Sequence, residues 1–328
     1  MLRMSRTMVV AAALFLLLGC SNSRPAEAAS PSAPASTAPS PAPADSAAVT
    51  APTLNPQRAW SYVKDFVAIG SRKPGSPAHQ TAIDFIHSRL KQVGVEVEDD
   101  KFTANTSRGA FQLDNIIAKI PGTKDGIIVL ASHYETNYWL PDQFVGANDG
   151  GSTTGLLLEL ANDLKPKAGG KRDGYSVWLV FDDGEESFQS EWNDNDALWG
   201  TRHLAQKWQA DGTLKKIKAL FVLDMIGDKD LDIQRDTNST GWLEDVVYQA
   251  ASKLGYQSHF FATQTSVDDD HMPFQKLGVP VADIIDINYG YNNAFHHTLE
   301  DTMDKLSPKS LEIAGNTVLQ AIAMLDQK

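Results

Sequence analysis

Between Ile127 and Ala131 the chain is apolar at every position, and the run ends in Ser132 and His133. A strand-length segment without alternation has no polar face to turn to water. It must be covered on both sides, as happens in mostly parallel sheets flanked by helices. The pattern recurs at Tyr175–Asp182, Ala219–Ile226 and Pro280–Ile287. Segments of helical spacing lie between these runs, at Thr153–Leu164, Leu198–Gln209 and Trp242–Leu254, and Ser307–Leu325 closes the series. Upstream, Trp60–Ile69 and His79–Gly94 read as helices, the second capped by Gly94. Val95–Thr103 and Leu113–Ile120 read as strands. The expected fold is α/β: a mostly parallel mixed sheet with helices on both faces, in three layers.

A chain of 328 residues with 42% apolar residues supports one large core. Its formal net charge of -12 excludes nucleic acid as an expected partner, because phosphate binding needs a surplus of Lys and Arg. The single cysteine, Cys20, permits no internal disulfide. Arg3 and Arg6 precede an apolar run, Val9 to Leu18, that is too short to span a bilayer and suits a signal peptide. Leu17-Leu18-Gly19-Cys20 then looks like a bacterial lipobox. We therefore expect a lipoprotein signal peptide over 1–20, lipidation at Cys20, a disordered Ala/Pro/Ser-rich tether over 21–54 and a catalytic domain over 55–328. Ser21 suits sorting to the outer membrane, so the expected address is the cell envelope, facing the periplasm. A monomer is expected.

Polar groups stand just past the carboxyl ends of the predicted strands, where open α/β sheets bind ligands. These are His133-Tyr134-Glu135, then Asn148-Asp149 before a helix, Asp183-Gly184-Glu185-Glu186, Asp224, and His296-His297. Imidazoles and carboxylates gathered on one edge suit Zn²⁺ with an open coordination position. Adjacent Glu185 and Glu186 allow one to ligate while the other moves protons. His79, His87, His203 and His259 are read as structural.

The motifs His133-Tyr134, Gly146-Ala147-Asn148-Asp149, Asp183-Gly184-Glu185-Glu186, Leu223-Asp224-Met225-Ile226-Gly227 and His297-Thr298 resemble those of the glutaminyl cyclases and the related co-catalytic zinc aminopeptidases. The resemblance covers about residues 56 to 325. For a cyclase it implies one zinc held by Asp149, Glu186 and His297. For an aminopeptidase it implies two zincs bridged by Asp149, with His133 and Asp224 completing the second site. Trp192 with Gly200-Thr201-Arg202-His203-Leu204-Ala205, and Asp269-Asp270-His271-Met272-Pro273-Phe274, are similar to cyclase segments. This implies a substrate-contacting role for Trp192 and a place for Asp269 in an acidic proton network. Two positions depart from the cyclase pattern: Glu135 replaces an Asp, and His296 stands where a substrate-walling Trp is usual.

The resemblance thus implies a glutaminyl-peptide cyclotransferase that turns the N-terminal Gln of peptides or proteins into pyroglutamate and releases ammonia. In that reading Glu185 carries the proton, while Asp224 and Asp269 hold the amine and the proton network. A two-zinc aminopeptidase built from the same residues is the alternative. A non-catalytic binding protein on this scaffold is a third reading, which the presence of Glu185 beside all the ligands argues against.

Overall fold

The computed structural model describes residues 51–328; Cys20, the lipobox and most of the tether lie outside the described residues. Leu54 is already packed, and its N–H donates to Asn316 Oδ1 at 2.9 Å. Helix α1, Pro56–Val67, starts where Asn55 Oδ1 accepts the Arg58 N–H and buries Ala59, Val63, Phe66 and Val67. Helix α2, Pro77–Val93, is capped by Ser76 and stops at Gly94, whose φ of 72° a residue with a Cβ rarely adopts.

The remaining elements alternate. Strands β1 (Glu96–Thr106), β2 (Gly109–Ile120) and β3 (Gly122–His133) precede helix α3 (Gly151–Leu164). Then come β4 (Arg172–Asp182), α4 (Trp199–Asp211), β5 (Ile217–Asp224), β6 (Ile233–Asp236) and α5 (Gly241–Leu254). The chain finishes with β7 (Phe260–Thr265), α6 (Met272–Gln275), β8 (Val281–Ile285) and α7 (Pro308–Leu325). The main sheet has the order β1-β2-β4-β3-β5-β8. β1, β2 and β4 pair antiparallel, whereas β4, β3, β5 and β8 run parallel. This is the mixed, mostly parallel α/β sheet expected from the alternation of strands and helices.

The period of two sorts each central strand between two cores. In β3, Ile128 and Leu130 face the layer made by α1, α2, α3, α5 and α7, while Ile127, Val129 and Ala131 face α4 and α6. β5 divides likewise, with Phe221 and Leu223 on the first side and Leu220 and Val222 on the second. The β1–β2 hairpin runs further than expected, to Thr106 and Gly109, because backbone pairing continues after the apolar pattern stops. The small parallel pair β6–β7 and the short helix α6 are elements the sequence reading does not contain. Their few residues are too short and too polar to carry a period.

α1 and α3 pack closely because position 155 is glycine. A Cβ there would stand 2.4 Å from Val63 Cγ2 and 2.7 Å from the Val63 backbone nitrogen. Gly155→Ala should therefore destabilise the protein by about 1–2 kcal/mol, since overpacking of roughly 1–3 kcal/mol exceeds the gain in helix propensity. The check is the urea midpoint; an unchanged or higher midpoint would show that the helices separate at little cost.

Candidate active site

β3, β4, β5 and β8 run side by side and end in His133, Asp182, Asp224 and Ile285. The loops that follow fold over this edge and enclose a cavity of ≈ 160 Å³. Asp149, Glu185, Glu186, Asp224, Asp269, His296 and His297 line it, together with Trp192, Met225, Val267, Ile285 and Ile287.

Asp149 sits between two imidazoles. Its Oδ1 is 3.1 Å from His133 Nε2, and its Oδ2 is 3.3 Å from His297 Nε2. His297 Nε2 is also 3.0 Å from Glu186 Oε1, whose partner oxygen accepts the Asn137 side-chain N–H at 2.8 Å. On the other side, His133 Nε2 is 3.5 Å from Asp224 Oδ1. The residues expected as ligands therefore form two adjoining groups that share Asp149. One joins His297 to Asp149 and Glu186, the other joins His133 to Asp149 and Asp224.

The electrostatics follow from crowding. Burial works against ionisation of Asp149, but contact with His133 and His297 outweighs it and holds the carboxyl well below the usual range. Burial also opposes protonation of His297, yet Glu186 and Asp149 carry its pKa up to about 11. The Glu185 carboxyl moves the other way. Burial drives it well above the usual range, Glu186, Asp269 and Asp270 add to the effect, and His133 opposes it. Asp269 is raised for the same reasons, by burial and then by Asp224 and Asp270.

Both ring nitrogens of His133, Asp149 Oδ2 and Asp224 Oδ1 are buried without a hydrogen-bond partner. Orphaned lone pairs on nitrogen and oxygen, brought together from the ends of β3 and β5 and the loop before α3, are what a small divalent cation would satisfy. The residues present thus fit the zinc that the sequence leads one to expect.

The supports are mostly backbone. Arg72 is fully buried, and its guanidinium donates to the carbonyls of Gly70, Tyr134, Val145 and Gly146 at 2.6–3.2 Å. Burial lowers its pKa only to about 10, so it remains a cation at neutral pH. From the opposite side, Asp301 accepts the backbone N–H groups of Asn148 (2.8 Å) and Asp149 (3.3 Å) and the Tyr289 hydroxyl. Gly150, at φ 71°, lets the chain pass His133: a Cβ there would lie 3.0 Å from the ring. His297 and Met225 themselves hold φ values of 53° and 48°, an uncommon conformation that clusters here at the site. Arg72 and Asp301 were not anticipated; a lone charge in a loop carries no sequence signal of burial.

The departures from the expected pattern have visible effects. Glu135 Oε1 is 3.8 Å from His133 Nδ1, beyond hydrogen-bond reach, and accepts the Glu186 N–H at 3.1 Å instead. Glu135 thus supports the neighbouring acid rather than orienting His133. His296 packs against His297 with ring centroids 4.0 Å apart and the rings tilted by 45°, and its Nδ1 meets the Asn293 amide at 3.0 Å. It lies close enough to Asp149 and His297 to offer a further nitrogen to a cation. Trp192 stands at the rim, 40% exposed, with its indole N–H on Asp194 Oδ1 at 2.7 Å. His79, His87, His203 and His259 stay outside the cavity. His79 pairs with Asp183 at 2.9 Å, and His203 stacks on Phe102.

An open α/β sheet with acids and imidazoles gathered in a small hollow at its carboxyl edge belongs to the exopeptidase-like class of enzymes. Residues 115–322 match the model of Peptidase family M28. The structure superposes on an Acidobacteriales bacterium glutaminyl cyclase with a TM-score of 0.81 and 50% identity, over 88% of this chain and 99% of that one. A Zn-dependent exopeptidase from Parabacteroides distasonis superposes with a TM-score of 0.74 at 26% identity, over 83% and 99% of the two chains. The glutaminyl-peptide cyclotransferase of Drosophila melanogaster is 29% identical over 243 residues, 66% of this chain and 68% of the relative. The chain therefore belongs to peptidase family M28 and, within it, to the glutaminyl cyclases.

Arg72→Ala would strand several buried carbonyls at once. At roughly 1–3 kcal/mol for each unsatisfied group, the loss should reach about 3 kcal/mol or more. Arg72→Lys should recover only part of it, because an ammonium cannot fork to divergent acceptors. Urea unfolding of both variants tests this, and an Arg72→Ala protein of wild-type stability would contradict it.

Proposed function

We propose that this chain is a zinc-dependent glutaminyl-peptide cyclotransferase, acting on the N-terminal Gln of peptides and releasing ammonia. The observation that carries this reading is the cavity of ≈ 160 Å³ with Glu185 on its wall. It is smaller than the roughly 300–1,000 Å³ of a drug-sized pocket and suits one folded-back residue rather than a stretch of chain. The 50% identity to a bacterial glutaminyl cyclase supports it.

Asp149, Glu186 and His297 would hold the metal, which when bound supplies Lewis acidity toward the side-chain amide carbonyl. The rest falls to the protein. Asp224, with Asp269, faces the cavity and would bind the substrate's α-amine. A C–N bond forms between that amine and the side-chain amide carbon, and the bond from that carbon to the amide nitrogen breaks. One proton must therefore travel from the attacking amine to the departing nitrogen. Glu185 would carry it, since a carboxyl whose pKa is raised by burial can hold and return a proton. Trp192, His296 and the apolar Ile285 and Ile287 would wall the substrate side chain away from water.

One observation favours a second reading, a two-zinc aminopeptidase: His133 and Asp224 form a second group around Asp149. The products separate the two. Zinc-loaded protein should release ammonia from an N-terminal Gln peptide and leave a Leu peptide intact; free leucine would mean the peptidase. Glu185→Gln should keep bound zinc, measured by elemental analysis, while kcat falls about 100- to 10,000-fold. Near wild-type kcat in that variant would remove Glu185 from the mechanism. His297→Ala should lose zinc along with activity, and full zinc occupancy would remove His297 from the ligand set.

A further inference from the structure

Beside the site lies a second, larger hollow of ≈ 500 Å³. One wall is α4, through Arg202 and Gln206, and the other is the turn after α6, through Lys276 and Leu277. Asp194 and Asp268 also line it. Two features join this groove to the site. Asp268 lines both hollows. Trp192 on the site wall is fastened by its indole N–H to Asp194 on the groove wall at 2.7 Å. The two cavities therefore share a rim.

A cavity of ≈ 160 Å³ holds one residue, so the rest of a peptide has to leave over its rim. We infer that the groove between α4 and α6 is the binding subsite for the second to fourth residues of the substrate peptide. This rests on the proposed action at peptide N-termini and adds where the following residues lie. The volume falls within the range of sites that bind small ligands. Its chemistry suits an extended backbone. Gln206, Arg202 and Lys276 are donors for peptide carbonyls, and Leu277, 37% exposed, offers an apolar contact. Arg202 is itself fixed, donating to the carbonyls of Asp194 (3.3 Å) and Ala197 (3.0 Å) and lying over the Trp199 ring. A binding wall held this way loses little side-chain freedom when a peptide docks.

The test is a length series: Gln-amide, then peptides of two to five residues starting with Gln. In the wild type, kcat/KM should rise about tenfold or more from the amide to the pentapeptide, because remote contacts lower the barrier for the whole substrate. Gln206→Trp and, separately, Lys276→Trp place bulk in the groove from exposed positions. Each should bring the ratio of pentapeptide to amide close to one. A wild-type ratio near one, or an unchanged ratio in both variants, would overturn the inference. So would a parallel fall for amide and pentapeptide, which would mean general damage. If the wild type turns over no Gln substrate, the proposed reaction fails by itself. Calorimetric binding of pentapeptide and amide to wild type and Gln206→Trp then decides the groove: a pentapeptide advantage lost in the variant supports it, and none in the wild type sinks it.

Discussion

A buried guanidinium holds the site together. Arg72 donates to carbonyls from two separate loops, at Gly70 between α1 and α2 and at Tyr134 and Val145–Gly146 between β3 and α3. Taking such a group from water is expensive unless its N–H groups are satisfied, so its burial requires those loops to be where they are. The segment it fixes lies between His133 and Asp149. Asp301 grips the same segment from the far side through the backbone of Asn148 and Asp149. Asp149 can thus face two imidazoles without being drawn toward either, because its position is set by backbone contacts rather than by its own carboxylate.

That rigidity matters because the site is electrostatically costly. Asp182, Glu185, Asp269, Asp270 and Asp283 all have carboxyls raised by burial. A carboxyl whose pKa is higher folded than unfolded weakens the fold as pH rises through that interval, since the unfolded chain ionises more readily. Asp149 has the opposite sign: its contribution is present above the unfolded value and lost as pH falls toward its depressed one. The cluster therefore favours protons on the outer acids and a negative charge on the central one. It is an arrangement that suits a cation at the centre, with protonated acids around it.

How much of this was readable follows from which signals are local. Four strands could be read because each is apolar on both faces, and their ends located His133, Asp224 and, one loop further, Asp149. Gly94 announced a helix end by cap chemistry alone, whereas the start at Pro77, capped by Ser76, lies two residues before the expected His79. β6, β7 and α6 were not readable, because four to six residues of mixed polarity carry no period. Arg72 was invisible for a different reason. Its partners are 62 to 77 residues away for all but one contact, and nothing next to it in sequence distinguishes a buried arginine from a solvated one. Glu135 shows the limit of reading by position. It stands where the cyclase pattern has an Asp, and its longer side chain reaches the Glu186 backbone.

The choice between cyclising and hydrolysing depends, in the end, on water. Both reactions need a polarised carbonyl and a nearby carboxyl that passes a proton, and this cavity has the groups for both. A peptidase must admit a water to the reacting carbon. A cyclase must exclude it, because its nucleophile arrives with the substrate and competing water would convert Gln to Glu. Val267, Ile285 and Ile287 give part of the cavity lining an apolar surface, and Trp192 stands at its rim. In so small a space a curled glutamine side chain and a free water compete for the same volume. Filling that space with substrate also brings amine and carbonyl together, so the wall that excludes water is the wall that orients the attack.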